Sequence, residues 1–321
     1  MRLRKVTLFI LILTIGFISC NKDDNEATIV TVEERDRDEQ QEADMDSLND
    51  YLSSHYYNAS AFVSNVDPSI NDLIIIEVED GESVPDGYAN LLEAVGVAKT
   101  TVYAETDYEF YILDLNKGGG DSSPTFADNV FVTYEGFTLD NEVFDSAIIP
   151  VEFDLLSLIP GWRKVLPNFK TAVGFIENGD GTVDYIDHGV GVMFLPSGLA
   201  YFSSSTTGIS SYEPIVFKFE LLKTTTNDHD GDGIPSYLED LPNENGEKDG
   251  EFTVNFEDLT DEYDDDTDGD GTPDYFDSDD DGDGIPTINE DLNEDGDPTN
   301  DIGKNGIPNY LDPEETEFVI K

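Results

Sequence analysis

Apolar and polar residues repeat along this chain with two periods, and a third region follows neither. Between Val32 and Tyr57, Met45, Leu48, Tyr51 and Leu52 recur at helical spacing in an acidic stretch without Gly or Pro. That spacing predicts an amphipathic helix packed on its own chain through a narrow apolar stripe. Leu73 to Val78 is an apolar, β-branched run and reads as a strand. Asp86 to Tyr103 reads as loop, short helix and strand. From Tyr108 to Leu222 the period becomes two. Glu109 to Leu115 alternates and ends at the turn Gly118-Gly119-Gly120, Asn129 to Tyr134 is a second strand, and Val216 to Leu221 closes the set. One short helix is expected from Trp162 to Phe169. The class is therefore α+β: an antiparallel sheet with one short helix against a face. From Asn227 to Pro313, Asp, Gly, Asn and Pro dominate and large apolar residues are few. Such a tail has little regular structure and needs a source of order other than an apolar core.

Charge sharpens that reading. The 321 residues carry 72 acidic and 16 basic side chains, a net charge of −56. Nucleic acid is excluded as a partner, because phosphate binding needs Lys and Arg. Divalent cations are favoured. At the other end, Arg2, Arg4 and Lys5 precede the apolar stretch Thr7 to Ile18. This is the layout of a signal peptide, and it is short for a membrane span. Cys20 is the only cysteine, so it has no intramolecular disulfide partner.

Phe17-Ile18-Ser19-Cys20 resembles a bacterial lipobox. The resemblance implies cleavage before Cys20, lipidation of its thiol, and a membrane as partner. Asn21 to Glu26 is similar to the short Lys-plus-acidic signals of Bacteroidetes-type lipoproteins, or else is a solvated spacer. The implied location is the cell envelope, anchored to the outer membrane and facing the periplasm or the surface. The expected division is a signal peptide (1–19), a tether (20–31), an acidic helix with a small α/β region (32–104), the sheet domain (105–223) and the acidic tail (224–321).

Three blocks of the sheet region resemble the FKBP-type peptidyl-prolyl isomerases. They run from Val130 to Ser146, from Phe153 to Trp162, and from Leu195 to Tyr201, with Ile209 and Phe217 to Leu222 following. The resemblance implies an FKBP-like sheet and a proline pocket with Trp162 as floor. Tyr134, Phe144, Ile159 and Phe217 would be walls, Val151 a further wall position, and Leu158 and Ile209 would complete the lining. Tyr201 would donate its hydroxyl to a substrate carbonyl, and Asp145 would orient polar groups at the rim. No cofactor is implied for catalysis. Two departures stand out: Phe202 follows Ala200-Tyr201 where the family has Gly, and Ser210-Ser211-Tyr212 replaces a Pro-containing loop. An inserted segment, Glu177 to His188, fits calcium-loop spacing in part and otherwise reads as a polar hairpin.

The tail repeats an EF-hand-like phase. Asp228, Asp230, Asp232, Ile234 and Glu239 occupy loop positions one, three, five, seven and twelve, with Gly233 at the sixth. Asp279, Asp281, Asp283, Ile285 and Glu290 repeat the pattern, and Asp266, Asp268, Asp270, Thr272 and Asp277 form a copy ending in Asp. Asp291 to Thr299 and Asp301 to Asp312 are degenerate copies. The expected ligand is structural Ca2+, with a carbonyl at position seven and a side chain or water at nine. Pro235, Pro273, Pro286 and Pro308 at position eight exclude the strand pairing of true EF-hands, since Pro has no N–H. The arrangement resembles thrombospondin type 3 repeats, which implies stacked ion-centred loops.

The expected function is isomerisation of X–Pro bonds in envelope proteins, with proline-containing polypeptides as clients. Two other readings are open. One is a non-catalytic proline-segment binding or chaperone module, and the other a calcium-dependent adhesion or spacer lipoprotein.

Overall fold

The computed structural model describes residues 34–320, apart from 64, 66, 80, 244, 245, 247 and 255–262. The signal peptide, Cys20 and the tether therefore lie outside the described residues. Arg35–Lys321 form one compact unit. Among the described residues no helix is long and apolar enough to cross a membrane.

Helix α1 runs Arg37–Ser54. The Asp36 side chain accepts from the Glu39 amide at 3.1 Å, and Asp38 and Glu39 place negative charge in the first turn. Both complement the free amides and positive end of the helix dipole. Met45, Leu48, Tyr51 and Leu52 are buried along one face, as their spacing requires. The helix stops earlier than the acidic stretch does. His55–Tyr57 is strand β1, which pairs antiparallel with β2 (Ile75–Glu77) and β3 (Ala89–Asn90) in a small sheet. Helix α2 (Leu91–Val95) and strand β4 (Lys99–Tyr103) follow.

The main sheet adds β5 (Thr106–Asn116), β6 (Asn129–Thr138) and β7 (Val143–Asp154). Helix α3 spans Pro160–Val165 with Pro160 at its first turn, so it begins before Trp162 and passes into a 3-10 turn at Leu166–Asn168. Proline suits that first position because its missing N–H would have no partner there. A hairpin of β8 (Gly174–Glu177) and β9 (Val183–Ile186) precedes β10 (Gly189–Leu195) and β11 (Ile215–Thr225). The six-stranded order is β4-β5-β10-β11-β6-β7, antiparallel throughout.

Strand alternation divides two cores. Tyr108, Phe110 and Ile112 face α3 with Trp162, Val165, Leu166 and Phe219. Tyr111 and Leu113 face the other way, against Met45, Leu48, Leu52 and Leu91 from α1 and α2. One short helix against one face is as the sequence led us to expect. The second face is covered as well, which is why every residue of β10 is buried.

A buried ion pair ties a turn to this sheet. Thr133 Oγ1 donates to Glu220 Oε2 at 2.6 Å, the Ile70 amide donates to Glu220 Oε1 at 2.9 Å, and His188 Nε2 lies 3.9 Å from that oxygen. Burial would raise the Glu220 carboxyl, but its partners, His188 first, bring it down to about 2. Burial would likewise lower His188, yet Glu220 and Asp67 leave it raised. A raised His contributes stability that is complete below its unfolded pKa of about 6.5 and fades as pH rises through the folded value. A depressed Glu contributes above its unfolded value of 4.5 and loses that contribution as pH falls toward 2. The stability gap between wild type and His188→Gln should thus be widest between pH 4.5 and 6.5. Urea unfolding across about pH 4 to 9 checks this, and a gap independent of pH would refute it.

Candidate active site and carboxylate loops

A cavity of about 250 Å³ opens at the α3 face of the main sheet. β6 contributes Tyr134, β7 contributes Asp145 and Phe153, and β11 contributes Phe217. The 3-10 turn Leu155–Ser157, capped by Asp154, leads Ser157, Leu158 and Ile159 to the wall, and α3 supplies Trp162 as floor. Tyr201, just past the turn Ser197–Leu199, completes the lining.

The rings hold one another in place. Trp162 lies 5.7 Å edge-on from Tyr134 and 5.2 Å from Phe217. Phe144 meets Phe217 at 5.4 Å and 89°. Both rings lie over Gly136, where a Cβ would come within 2.5 Å of Phe217 and 2.6 Å of Phe144. The glycine two residues after Tyr134 is thereby required by packing.

Tyr134 and Tyr201 differ in what their hydroxyls do. Tyr134 donates to Asp145 Oδ2 at 2.7 Å. The Tyr201 carbonyl accepts from the Ser204 amide, while its hydroxyl makes no hydrogen bond among the described residues, although the residue lines the cavity. Burial, with Asp145 adding to it, raises both phenols, so both remain protonated donors at neutral pH. The site thus pairs a dry aromatic floor with one uncommitted O–H donor.

Of the residues named from the sequence, Tyr134, Asp145, Leu158, Ile159, Trp162, Tyr201 and Phe217 line the cavity. Phe144 and Ile209 do not. They pack with the same core cluster, Phe144 edge-on to Phe217. Val151 also packs on the core, while Phe153, two residues on along the same strand face, is the lining residue and lies 5.8 Å from Tyr134. Strand alternation could have indicated Phe153, since residues two apart share a face.

Phe202 leaves the cavity open. Its φ is +46°, in the left-handed region where Gly is at ease, and its ring turns away to meet Tyr212 at 5.2 Å beneath the Arg37 guanidinium at 4.1 Å. Arg35 lies over Tyr212 at 4.4 Å, and Asp44 accepts from the Ser197 amide at 2.7 Å and hydroxyl at 2.6 Å. Helix α1 and the residues before it therefore hold both ends of the segment that carries Tyr201.

The inserted hairpin is polar and self-satisfied. Asn178 donates to Asp184 and Thr182, and Asp180 accepts from the Thr182 amide and hydroxyl. None of its carboxylates joins a metal-sized group among the described residues.

The tail folds as successive turns. Pro235, Pro273, Pro286 and Pro308 each cap a 3-10 turn, with φ from −56° to −69°. Proline's fixed φ suits that cap. Three carboxylate groups come within ligand distance. Asp266, Asp268 and Asp270 form one, Asp279, Asp281 and Asp283 another, and Asp230, Asp232, Glu239 and Asp280 a third. Both Oε atoms of Glu290 are buried without a hydrogen-bond partner, and burial, followed by Asp281, Asp283 and Asp279, pushes its carboxyl up to about 8.

Several expected ligand positions serve the loop itself. Asp228 lies outside its loop's group, and its two oxygens accept from the Gly231 and Gly233 amides. Asp277 lies outside the second group and instead accepts from the Asp279 amide. Position nine is also committed: Ser236 Oγ and Asp274 accept from the amides of His229 and Thr267. At position seven it is the amides, and not the carbonyls expected to ligate, that are committed: those of Ile234, Thr272 and Ile285 donate to Asp232, Asp270 and Asp283. Sequence reasoning missed Asp280 altogether.

The tail docks beside the cavity. Glu251 pairs with Arg163 and Lys164 of α3, the residues that follow Trp162, and His229 Nε2 lies 3.4 Å from Asp154 Oδ2.

Comparison with known proteins supports the sheet domain's kinship. The "Peptidyl-prolyl cis-trans isomerase Mip" of Coxiella burnetii is 30% identical over 118 residues, 36% of this chain and 43% of that protein. The "Probable FKBP-type peptidyl-prolyl cis-trans isomerase FkpA" of Neisseria meningitidis serogroup B is 33% identical over 113 residues, 34% of this chain and 36% of that protein. About a third of the chain is similar to FKBP-type peptidyl-prolyl isomerases. The match spans less than half of each relative's own length. Among solved structures, a peptidyl-prolyl isomerase of Pseudomonas syringae pv. tomato is 26% identical, with TM-score 0.30, covering 36% of this chain and 75% of that one. FkpA of Escherichia coli is 28% identical, with TM-score 0.30, covering 36% and 48%. Residues 229–296 match a family model described as BamM C-terminal. The thrombospondin-like reading of the tail thus rests on the loop sequences alone.

Proposed function

We propose that the chain is a peptidyl-prolyl cis-trans isomerase acting on X–Pro bonds of cell-envelope proteins, anchored through lipidated Cys20 and carrying a tail ordered by calcium. The observation that carries the catalytic reading is the aromatic cavity floored by Trp162, with the free Tyr201 hydroxyl at its side. The printed names of the relatives agree with it.

The chemistry asks little of the protein. Rotation about an X–Pro bond is slow because amide resonance resists it, with a barrier of about 18–20 kcal/mol. In the twisted amide the C–N bond is single and the carbonyl oxygen carries less negative charge. A cavity with few polar groups favours that form over the planar, better-solvated one. Proline stacks over Trp162 between Tyr134 and Phe217, Tyr201 donates to a neighbouring substrate carbonyl, and Asp145 holds Tyr134 in place. No nucleophile enters the reaction.

A prolyl-peptide isomerisation assay tests this. Wild-type protein should accelerate cis-to-trans exchange, and a rate equal to background would reject the enzyme in favour of proline-segment binding. Tyr201→Phe should lower kcat/KM about fivefold with unchanged melting, the worth of one neutral hydrogen bond of about 1 kcal/mol. A fall in kcat/KM matched by a fall in melting temperature would point to a packing role instead.

The calcium reading rests on buried carboxylate oxygens without partners. These include Asp230, Asp232, Asp281 and Asp283 Oδ2 and both Oε atoms of Glu239 and Glu290. Hard oxygen donors in excess negative charge suit Ca2+. Calcium here would supply the attraction that an apolar core supplies elsewhere.

A further inference from the structure

We infer that Asp280 completes a cation site begun in another loop, so that one divalent ion joins the first loop to the third. The inference rests on the calcium reading above and assigns one of its sites. Asp230, Asp232 and Glu239 come from the loop at 228–239, and Asp280 comes from the loop at 279–290. One carboxylate oxygen from each lies within 4.8 Å of the others.

Acidity alone would not make this a site. Glu239, Asp232 and Asp280 are each 1% exposed. Asp230 Oδ2, Asp232 Oδ2, Asp280 Oδ2 and both Oε atoms of Glu239 are buried and accept no hydrogen bond. None of the four carboxylates pairs with Lys or Arg among the described residues. Five buried anionic oxygens without a donor are too costly to stand alone. The remaining oxygens are occupied and aim the free ones. Asp230 Oδ1 and Asp232 Oδ1 accept from loop amides, and Asp280 Oδ1 accepts from Thr287 Oγ1 at 3.1 Å.

Loop phase explains why Asp280 faces outward. Asp279, Asp281 and Asp283, at positions one, three and five, converge on their own group. Position two points away from it. In the first loop that place holds His229, which reaches Asp154, and in the second it holds Thr267, which bonds Asp274. Only the third of these loops has a carboxylate there. An all-oxygen set with a two-oxygen Glu fits Ca2+, which takes six to eight oxygens, better than Mg2+, which prefers a strict octahedron with several waters. The consequence is a closed tail, in which loops distant in sequence share an ion.

Calcium titration calorimetry on the full mature chain tests this. Asp280→Asn should remove one site or weaken it at least about tenfold, while the other sites keep their affinities. Glu239→Gln should affect the same site, and the double variant should be no worse than the more severe single. Wild-type binding with Asp280→Asn indistinguishable from it would overturn the shared site and leave the calcium reading intact. Two single losses that add as separate sites would also overturn it. Absence of binding by wild type at millimolar calcium would overturn the calcium reading itself. Circular dichroism of Asp280→Asn in saturating calcium, matched to wild type, excludes misfolding as the cause of a lost site.

Discussion

Trp162→Ala will remove nearly all isomerase activity, at least about a hundredfold in kcat/KM, or roughly 2.7 kcal/mol of transition-state binding. The indole is 3% exposed and touches the rings of Tyr134, Phe217 and Phe219 at 5.7, 5.2 and 6.1 Å. On the proposed mechanism, removing it takes away the surface for the substrate ring and admits water where the twisted amide would need a dry wall. The same change should lower folding stability by about 3–5 kcal/mol, because a buried aromatic is replaced by a cavity. Activity must therefore be measured at a temperature where urea unfolding shows the variant to be folded. Tyr201→Phe, which keeps the ring, separates loss of chemistry from loss of structure. Near-wild-type turnover by folded Trp162→Ala would end the catalytic assignment.

On the proposed calcium reading, chelation will open the acidic tail while leaving the six-stranded sheet folded. The sheet has two apolar cores of its own, whereas the described tail buries few large apolar side chains, chiefly Ile234 and Tyr310. Its buried groups are mainly carboxylates. Burial first, then Asp232, Asp230 and Asp274, pushes Glu239 up to about 10, and burial with Asp274, Asp232 and Glu239 pushes Asp280 up to about 11. Without a cation such groups can stay buried at neutral pH only by taking up protons, a cost that opening to water avoids. Each site filled at a hundred times its dissociation constant adds about 2.7 kcal/mol to tail stability. Chelator at pH 7 should therefore expose residues 227–313 to protease and enlarge the hydrodynamic radius, and calcium should reverse both. Identical digestion patterns with and without chelator would refute the ion-ordered tail.

The docking of the tail links these two experiments. Glu251 is paired with Arg163 and Lys164, directly after Trp162, and His229 reaches the Asp154 that caps the turn leading to Leu158 and Ile159.

What the sequence determined by itself was local and periodic. The helix face of Met45, Leu48, Tyr51 and Leu52, three strands of the main sheet and the Asp-Gly-Pro phase of the tail follow from backbone geometry, which repeats every few residues and so leaves a trace in one dimension. Trp162, Tyr134, Phe217 and Tyr201 were legible through their spacing within blocks that resemble known isomerases. Tertiary structure alone decided the rest. Covering of the second sheet face by α1 and α2, the absence of Phe144 and Ile209 from the cavity lining, the turn of Phe202 toward Arg37, and the meeting of Asp280 with Glu239 all depend on which elements pack together. Packing is set by the summed burial and charge of residues far apart in the chain, and no local pattern carries that sum.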